Sequence, residues 1–367
     1  MRLPCTILIA AITLTACTKE SAAPANSATT NDTAYSLDDA TLFPADRSLT
    51  HAEDGVVLAD GGVLTGDWNS GLIILATDGG KRAFGDFAAA GFKSKPAPDW
   101  NSPNGISMEP DGRHVLVADI TTGHIYRADI ETESVTRIYD HPFGVNNVVR
   151  DPSGAIWFTQ STENSAGEKS EERMFAAATA PMSDGAVYRI APEELGKSEP
   201  VAEQVVDDLD FANGIAFDAA RGRLYVAELM AHRVLSFDVD ADSGALTNRQ
   251  VLADVVTPDN IELDADGNLW IASPGANAVY IVDPDTLAMT TFFEATPEAS
   301  HKLVAEIRAR SARGEGFLDL ITPDMWGPMP GLLTGIILSP DTTADGGGTL
   351  YLSGLGDALV KLEHKAP

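Results

Sequence analysis

Past residue 50 the chain repeats one pattern: a short polar motif, a glycine-containing turn, then two runs rich in β-branched, aliphatic and aromatic residues. Asn104-Gly105-Ile106 leads to Asp111-Gly112, His114-Val115-Leu116-Val117-Ala118-Asp119 and His124-Ile125-Tyr126-Arg127. Asn213-Gly214-Ile215 leads to Arg221-Gly222, Leu224-Tyr225-Val226-Ala227-Glu228 and Arg233-Val234-Leu235-Ser236. Asp259-Asn260-Ile261 leads to Asp266-Gly267, Leu269-Trp270-Ile271-Ala272 and Ala278-Val279-Tyr280-Ile281. Asn146-Asn147-Val148 opens a fourth copy, and two outer copies begin at Glu53-Asp54-Gly55 and Thr334-Gly335-Ile336. Alternation bounded by such turns predicts short antiparallel strands.

The copies start near residues 53, 104, 146, 213, 259 and 334, at spacings of 51, 42, 67, 46 and 75. Six units of that length, each able to supply four strands, predict an all-β fold, a six-bladed β-propeller over residues 43–367. A β-sandwich would leave six similar units unexplained. The two long spacings hold insertions. Residues 161–182 are polar, then Ala- and Met-rich, and predict a loop or short helix. Residues 296–313 begin Thr-Pro-Glu, a cap followed by a first-turn proline. Leu303, Val304 and Ile307 then recur at helical spacing, so an amphipathic helix is expected there. Loops this long are frequently pocket walls or lids. Trp157, Phe158, Met174, Phe175, Met325 and Trp326 are candidates either for an apolar pocket or for packing the loops.

Each polar motif precedes the innermost strand of its unit, where side chains face the central tunnel. Glu53, Asn104, Asn146, Asn213 and Asp259, with Asn147 and Asn260 beside them, form a ring of carboxylate and amide oxygens without Cys or His. A single Asn-Gly reads as a turn; four or five converging on one axis read as ligands. Oxygen-only ligation suits a hard cation, Ca²⁺ ahead of Mg²⁺ or Mn²⁺. Asp54 and Asn147 would point away from this site and could hold a second cation deeper in the tunnel.

Composition narrows the partners. With 54 Asp+Glu against 25 Lys+Arg, a formal charge of −29 and no basic face, nucleic acid is excluded. No apolar run of about 20 residues follows the N-terminus, so a polytopic membrane protein is excluded as well. The two cysteines, Cys5 and Cys17, are both N-terminal. Arg2, a short apolar stretch and Leu14-Thr15-Ala16-Cys17 resemble a bacterial lipoprotein signal. On that reading residues 1–16 are removed, Cys17 carries lipid, and residues 17–42 form a flexible tether. The expected location is the cell envelope, at the periplasmic face or outer membrane, with membrane contact through the lipid alone and the protein monomeric.

Several motifs carry a family resemblance across about residues 50–363. Asp210-Phe211-Ala212-Asn213-Gly214-Ile215, Tyr225-Val226-Ala227-Glu228-Leu229-Met230-Ala231-His232 and Pro258-Asp259-Asn260-Ile261 resemble the superfamily of regucalcin (SMP-30)/gluconolactonase, strictosidine synthase-like and paraoxonase-like propellers. Glu53-Asp54 looks paraoxonase-like, whereas Asp184-Gly185-Ala186-Val187-Tyr188-Arg189 looks closer to the other two branches. The resemblance implies that Glu53, Asn146, Asn213 and Asp259 ligate a catalytic calcium, with Asn260 a further ligand. Asp54 and Asn147 match structural-calcium positions, although Asn147 replaces an Asp. Asn104 stands where paraoxonases carry a catalytic histidine, and Ile120 or its neighbours replace that histidine's partner, so the histidine mechanism does not transfer.

The expected activity is calcium-dependent hydrolysis of a lactone or ester, with water attacking a polarised carbonyl. Asp259 is the candidate base and Asn104 a substrate-orienting group. His232 reads as a packed structural histidine, and His51 and His124 as candidate pocket residues. The rival expectation is a non-catalytic, surface-anchored binding propeller whose metal is structural.

Overall fold

The computed structural model describes residues 40–362 apart from Pro328 and Gly346; the expectations for residues 1–39, Cys17 among them, lie outside it. Six four-stranded antiparallel sheets follow one another along the chain. Blade I spans residues 55–84, blade II 103–140, blade III 148–209, blade IV 212–254 and blade V 261–294. Blade VI takes three strands from residues 333–362 and its outermost strand from Ala40–Phe43. The sixfold repeat expected from the motifs is therefore present.

Alternation explains how the blades stack. Each central strand sends apolar side chains to both sheet faces, and each face meets a neighbouring blade. Six apolar clusters result, one at every junction. Leu116 and Ile125 of blade II meet Ile156 and Phe158 of blade III. Trp270 and Phe292 of blade V meet Ile336 and Leu352 of blade VI. Tyr351 and Leu359 of blade VI meet Val63 and Ile73 of blade I, which closes the ring. At about 1.5–3 kcal/mol per fully buried large side chain, this packing dominates stability.

The turns follow the sequence as well. Gly112, Gly222 and Gly267 sit at φ of 66°, 61° and 78°, a region glycine enters without strain. In blades III and V an aspartate after the inner strand is tied to a tryptophan of the next strand. Trp157 Nε1 donates to Asp151 Oδ2 at 2.8 Å, and Trp270 Nε1 to Asp264 Oδ2 at 3.0 Å. Trp157 and Phe158 are thus core residues of their blade and do not line a pocket.

Both insertions form helices, α1 (Ser170–Ala177) and α2 (Pro297–Ser311), the latter with Pro297 in its first turn. They pack together as a seventh apolar cluster, with Leu303 and Ile307 of α2 against Phe211, Met230, Phe317 and Ala177. Gly316 is required at their contact, since a Cβ there would lie 2.5 Å from the Thr179 carbonyl. No helix among the described residues is long and apolar enough to cross a membrane.

The strand Ala40–Phe43 corrects the expected tether, whose last three residues belong to the fold. Leu42 pairs with Val360 and Phe43 with Leu359, and the Phe43 ring lies 5.5 Å from that of Tyr351. Ring closure is consequently non-covalent and joins the two ends of the propeller. Removing residues 1–43 is expected to lower Tm by several degrees, at about 2 °C per kcal/mol for a chain of this size. An unchanged Tm by calorimetry would show that the strand does not close the ring.

Candidate metal centre

The polar motifs reach the tunnel through irregular pairing. In blade IV, Ala212 pairs with Glu228 and Ile215 with Val226, so Asn213-Gly214 form a bulge. Asn104-Gly105 does the same between Pro103 and Ile106 in blade II. Bulges re-aim side chains, and these turn Asn213 and Asn104 to the axis. The glycines are therefore not turn glycines: each is where the next blade's motif packs. A Cβ on Gly105 would lie 2.5 Å from Asn147 Cα, and one on Gly214 would lie 2.6 Å from the Asp259 carbonyl oxygen. Backbone bonds stitch the motifs into a ring, with Gly105 N donating to Asn146 O at 2.9 Å and Asn260 N to Thr334 O at 3.0 Å.

Glu53, Asn104, Asn146, Asn213 and Asp259 line one cavity of about 290 Å³ at the tunnel mouth, beneath α1 and α2. All five are buried. Neighbouring hydroxyls set their orientation. Ser161 Oγ donates to Ala212 O at 2.8 Å and accepts from Asn146 Nδ2 at 3.0 Å. The amide oxygen of Asn146 consequently faces the other way and has no donor. Asn213 donates its side-chain N–H to Asp259, leaving its own oxygen without a donor too. Glu53 Oε1 accepts from Asn260 Nδ2 at 2.9 Å, while Glu53 Oε2 has no partner.

Three buried oxygens on three blades lack a protein donor, a costly arrangement unless another group meets them. The carboxylates add to the cost. Burial, then the charges of Asp259 and Asp54, hold Glu53 well above the usual range. Burial, then the Asp54 charge, pushes Asp259 up to about 8. Burial alone pushes Asp54 up to about 7, against hydrogen bonds from Ile106 N and Gly55 N. Glu262 is likewise held well above its usual value by burial and by Asp54. No arginine or lysine among the described residues pairs with these four groups. An oxygen-only set with excess negative charge and unfilled acceptors fits a hard divalent cation, so Glu53, Asn146, Asn213 and Asp259 form the candidate centre.

Three expectations change. Asn260 is not aimed into the cavity as a ligand: its Nδ2 faces the Glu53 carboxylate, an acceptor, and its Oδ1 takes a hydrogen bond from Asn147 Nδ2 at 3.0 Å. It bridges and positions Glu53. Around Asp54 and Asn147 no oxygen is orphaned, because Asp54 accepts from two backbone N–H groups at 2.8 and 2.7 Å and Asn147 Oδ1 accepts from Val148 N at 2.7 Å. The orphaned oxygens that mark the first site thus have no counterpart at the expected second one, although Asp54 shares its buried, unpaired charge. His124 lies away from the cavity, against Asn101 and Tyr126.

Contacts define the roles of the other sequence candidates. His51 does line the cavity, stacked on Trp68 at 4.9 Å, and burial lowers its pKa to about 4, so it is neutral at physiological pH. His232 is structural, as expected: Nδ1 accepts from Thr257 N at 3.2 Å, which puts the proton on Nε2 facing Ser311 Oγ at 2.7 Å. It ties the C-terminal end of α2 to the propeller. Met174 and Phe175 line the cavity, whereas Met325 and Trp326 pack outside it. Trp68, Trp100 and Glu262 have no motif to announce them, and Thr334, which also lines the cavity, signals only the start of its repeat. A separate group, Glu109, Asp111 and His114, brings ligand-type atoms within 4.8 Å of one another. Its acids are already satisfied: Glu109 is gripped by Arg127 at 2.8 Å and Arg150 at 3.1 Å, and Asp111 by His114 at 2.6 Å.

Fold and site together define a six-bladed propeller with a cation-ready ring of oxygens at one mouth of its tunnel. Residues 139–294, from the edge of blade II through blade V, match the SMP-30/Gluconolactonase/LRE-like region. A pentonolactonase of Haloferax volcanii is 26% identical over 193 residues, covering 51% of this chain and 58% of that protein. The chain spans between 30% and 58% of the length of the first curated relatives it matches. Among solved structures, a gluconolactonase of Xanthomonas campestris superposes with a TM-score of 0.55 at 18% identity, covering 86% of each chain. A calcium-binding regucalcin of Agrobacterium tumefaciens gives 0.54 at 17% identity, covering 86% of this chain and 90% of its own. The structural likenesses establish the shared fold, and the likeness to the SMP-30/gluconolactonase region rests on residues 139–294.

Raised carboxylate values make the cation-free fold bind more protons than the unfolded chain between about pH 4 and the folded values of about 7 and about 8. Their stabilising contribution is complete below that window and is lost as pH rises through it. In EDTA, Tm is expected to fall from about pH 5 to about pH 8, and saturating Ca²⁺ is expected to flatten or reverse the slope. A Tm that rises with pH in EDTA, unchanged by calcium, would contradict this electrostatic picture.

Proposed function

We propose that the protein is a calcium-dependent hydrolase of a lactone or ester. The observation that carries this reading is the union, in one cavity, of three orphaned oxygens with the buried carboxylate of Asp259. Likeness to a pentonolactonase and a gluconolactonase supports the reaction class, and likeness to a calcium-binding regucalcin supports the choice of ion.

A bound cation would supply Lewis-acid polarisation of the substrate carbonyl, held by Glu53, Asn146, Asn213 and Asp259. The protein's own groups do the rest. Asp259 takes a proton from water as the water oxygen bonds to the carbonyl carbon. The acyl C–O bond then breaks, and the departing alkoxide recovers that proton, giving a hydroxy acid from a lactone or an acid and alcohol from an ester. Asn104, anchored through Nδ2 to Asn146 O at 3.2 Å, borders the same space and orients substrate. The helical cap excludes bulk water. Under the same reading, lipid on Cys17 holds the protein at the cell envelope.

Asp259→Asn is expected to lower kcat/KM on simple lactones by roughly 10²- to 10⁴-fold, the usual span for a lost general base, with the fold intact by circular dichroism. EDTA is expected to abolish turnover and Ca²⁺ to restore it. A wild-type protein that binds calcium yet is inert on lactone, aryl ester and phosphotriester panels would instead identify a non-catalytic binding propeller, the reading that Asn104 in place of a catalytic histidine favours.

A further inference from the structure

The polar floor of the cavity is matched by walls of a different character. On α1 and its C-terminal cap the positions facing the cavity, Glu171, Met174, Phe175 and Ala178, fall at i, i+3, i+4 and i+7, one helical face. Trp68 and Trp100 add aromatic walls, and the segment after α2 adds Phe317. The rim is apolar too. Of the four large hydrophobic residues exposed among the described residues, Phe175 at 46% and Leu355 at 45% both border this cavity. Exposed apolar groups concentrated at one mouth mark a binding surface more often than chance scatter does.

Most polar groups on the walls are satisfied inside the protein; the Thr334 hydroxyl, beside Glu53, is the exception and has no partner. The Thr50 hydroxyl donates to Asp67 at 2.6 Å, that of Thr121 to the Trp100 carbonyl at 2.7 Å, and the Trp68 indole to Ser102 Oγ at 3.1 Å. Among the described residues no arginine or lysine lines the cavity, and Glu171 is the one ionisable side chain on its helical wall. The Lys95 ammonium lies over the Trp68 and Trp100 rings, 4.3 and 4.1 Å from their centroids, and is not a lining group. A sugar lactone carries a hydroxyl on nearly every ring carbon, and each would be desolvated here against carbon. An alkyl or aryl substituent would instead be buried without that penalty.

We infer that the site takes a lactone or ester bearing an apolar substituent, its carbonyl on the oxygen floor and its alkyl or aryl group between α1 and the Trp68–Trp100 wall. This specification rests on the hydrolase reading for its chemistry but on the walls for its selectivity. The cavity of 290 Å³ has room for roughly ten heavy atoms at about 30 Å³ each, so a short to medium chain is accommodated.

The test compares δ-lactones of increasing alkyl chain length with glucono-δ-lactone in calcium buffer. The value of kcat/KM is expected to rise about fourfold per added methylene until the cavity is full. Glucono-δ-lactone is expected to lie at least about fiftyfold below δ-octalactone, which fills the cavity, the product of about three such steps. Phe175→Ser, at a half-exposed position that folding tolerates, is expected to flatten the chain-length slope. Equal or faster hydrolysis of glucono-δ-lactone, or a flat series, would overturn the inference while leaving the hydrolase reading intact. Tryptophan fluorescence titration, reporting through Trp68 and Trp100, separates binding from turnover. Saturable quenching by δ-octalactone alone, without hydrolysis, would sustain the apolar site and overturn the hydrolase. Absence of both quenching and turnover with the alkyl lactones would overturn the apolar site.

Discussion

Anionic groups crowded along the propeller axis without counter-charges are the constraint on which the rest of this structure turns. Glu53, Asp54, Asp259 and Glu262 come from the inner ends of blades I and V and have no basic partner among the described residues; the first three are shut away from water and Glu262 is half-buried. Elsewhere the protein handles its acids differently, giving Glu109 two arginines and Glu228 one. Arginines thus meet Glu109 and Glu228 at the periphery, whereas the central carboxylates have no basic partner among the described residues, an arrangement that suits a positive charge from outside the chain. The six apolar junctions make that tolerable, since the ring they close fixes the strand ends against mutual repulsion.

Position within the blade converts this constraint into a site. Bulges at Asn104-Gly105 and Asn213-Gly214 turn amides to the axis, and hydroxyls of adjacent strands decide which amide atom faces inward. Asn260 then couples neighbouring motifs, linking Asn147 to Glu53 through its two amide atoms. The cap formed by α1 and α2 is anchored to the ring partly through His232, whose neutral imidazole joins Thr257 to Ser311. Floor and cap are thus separate structures with separate chemistry: on the proposed function the floor would set the reaction and the cap what reaches it.

Much of this is legible in the residues, for a physical reason. Periodic features such as the six motifs, the glycine turns and the helix at 297–311 repeat or follow one period, so local pattern suffices to read them. Glu53, Asn104, Asn146, Asn213 and Asp259 stand out because each opens a repeat. What escapes is decided across blades. The strand Ala40–Phe43 looks like tether because its four residues gain their partners only from the far end of the chain. Asn260 reads as a ligand because spacing places it at the axis but does not say which amide atom faces Glu53. Trp68 and Trp100 lie in irregular segments of the chain, and Trp157 and Phe158 are pocket candidates only because aromatic residues suit both cores and pockets.

Crystals grown with a lanthanide in place of calcium offer the most direct examination of the central claim, since anomalous scattering locates the ion without reference to activity. The expected result is one strong peak on the propeller axis, bounded by Glu53, Asn146, Asn213 and Asp259, with no peak at Asp54 and Asn147. A peak at Glu109, Asp111 and His114 with an empty axis, or no ordered peak at saturating lanthanide, would contradict the account.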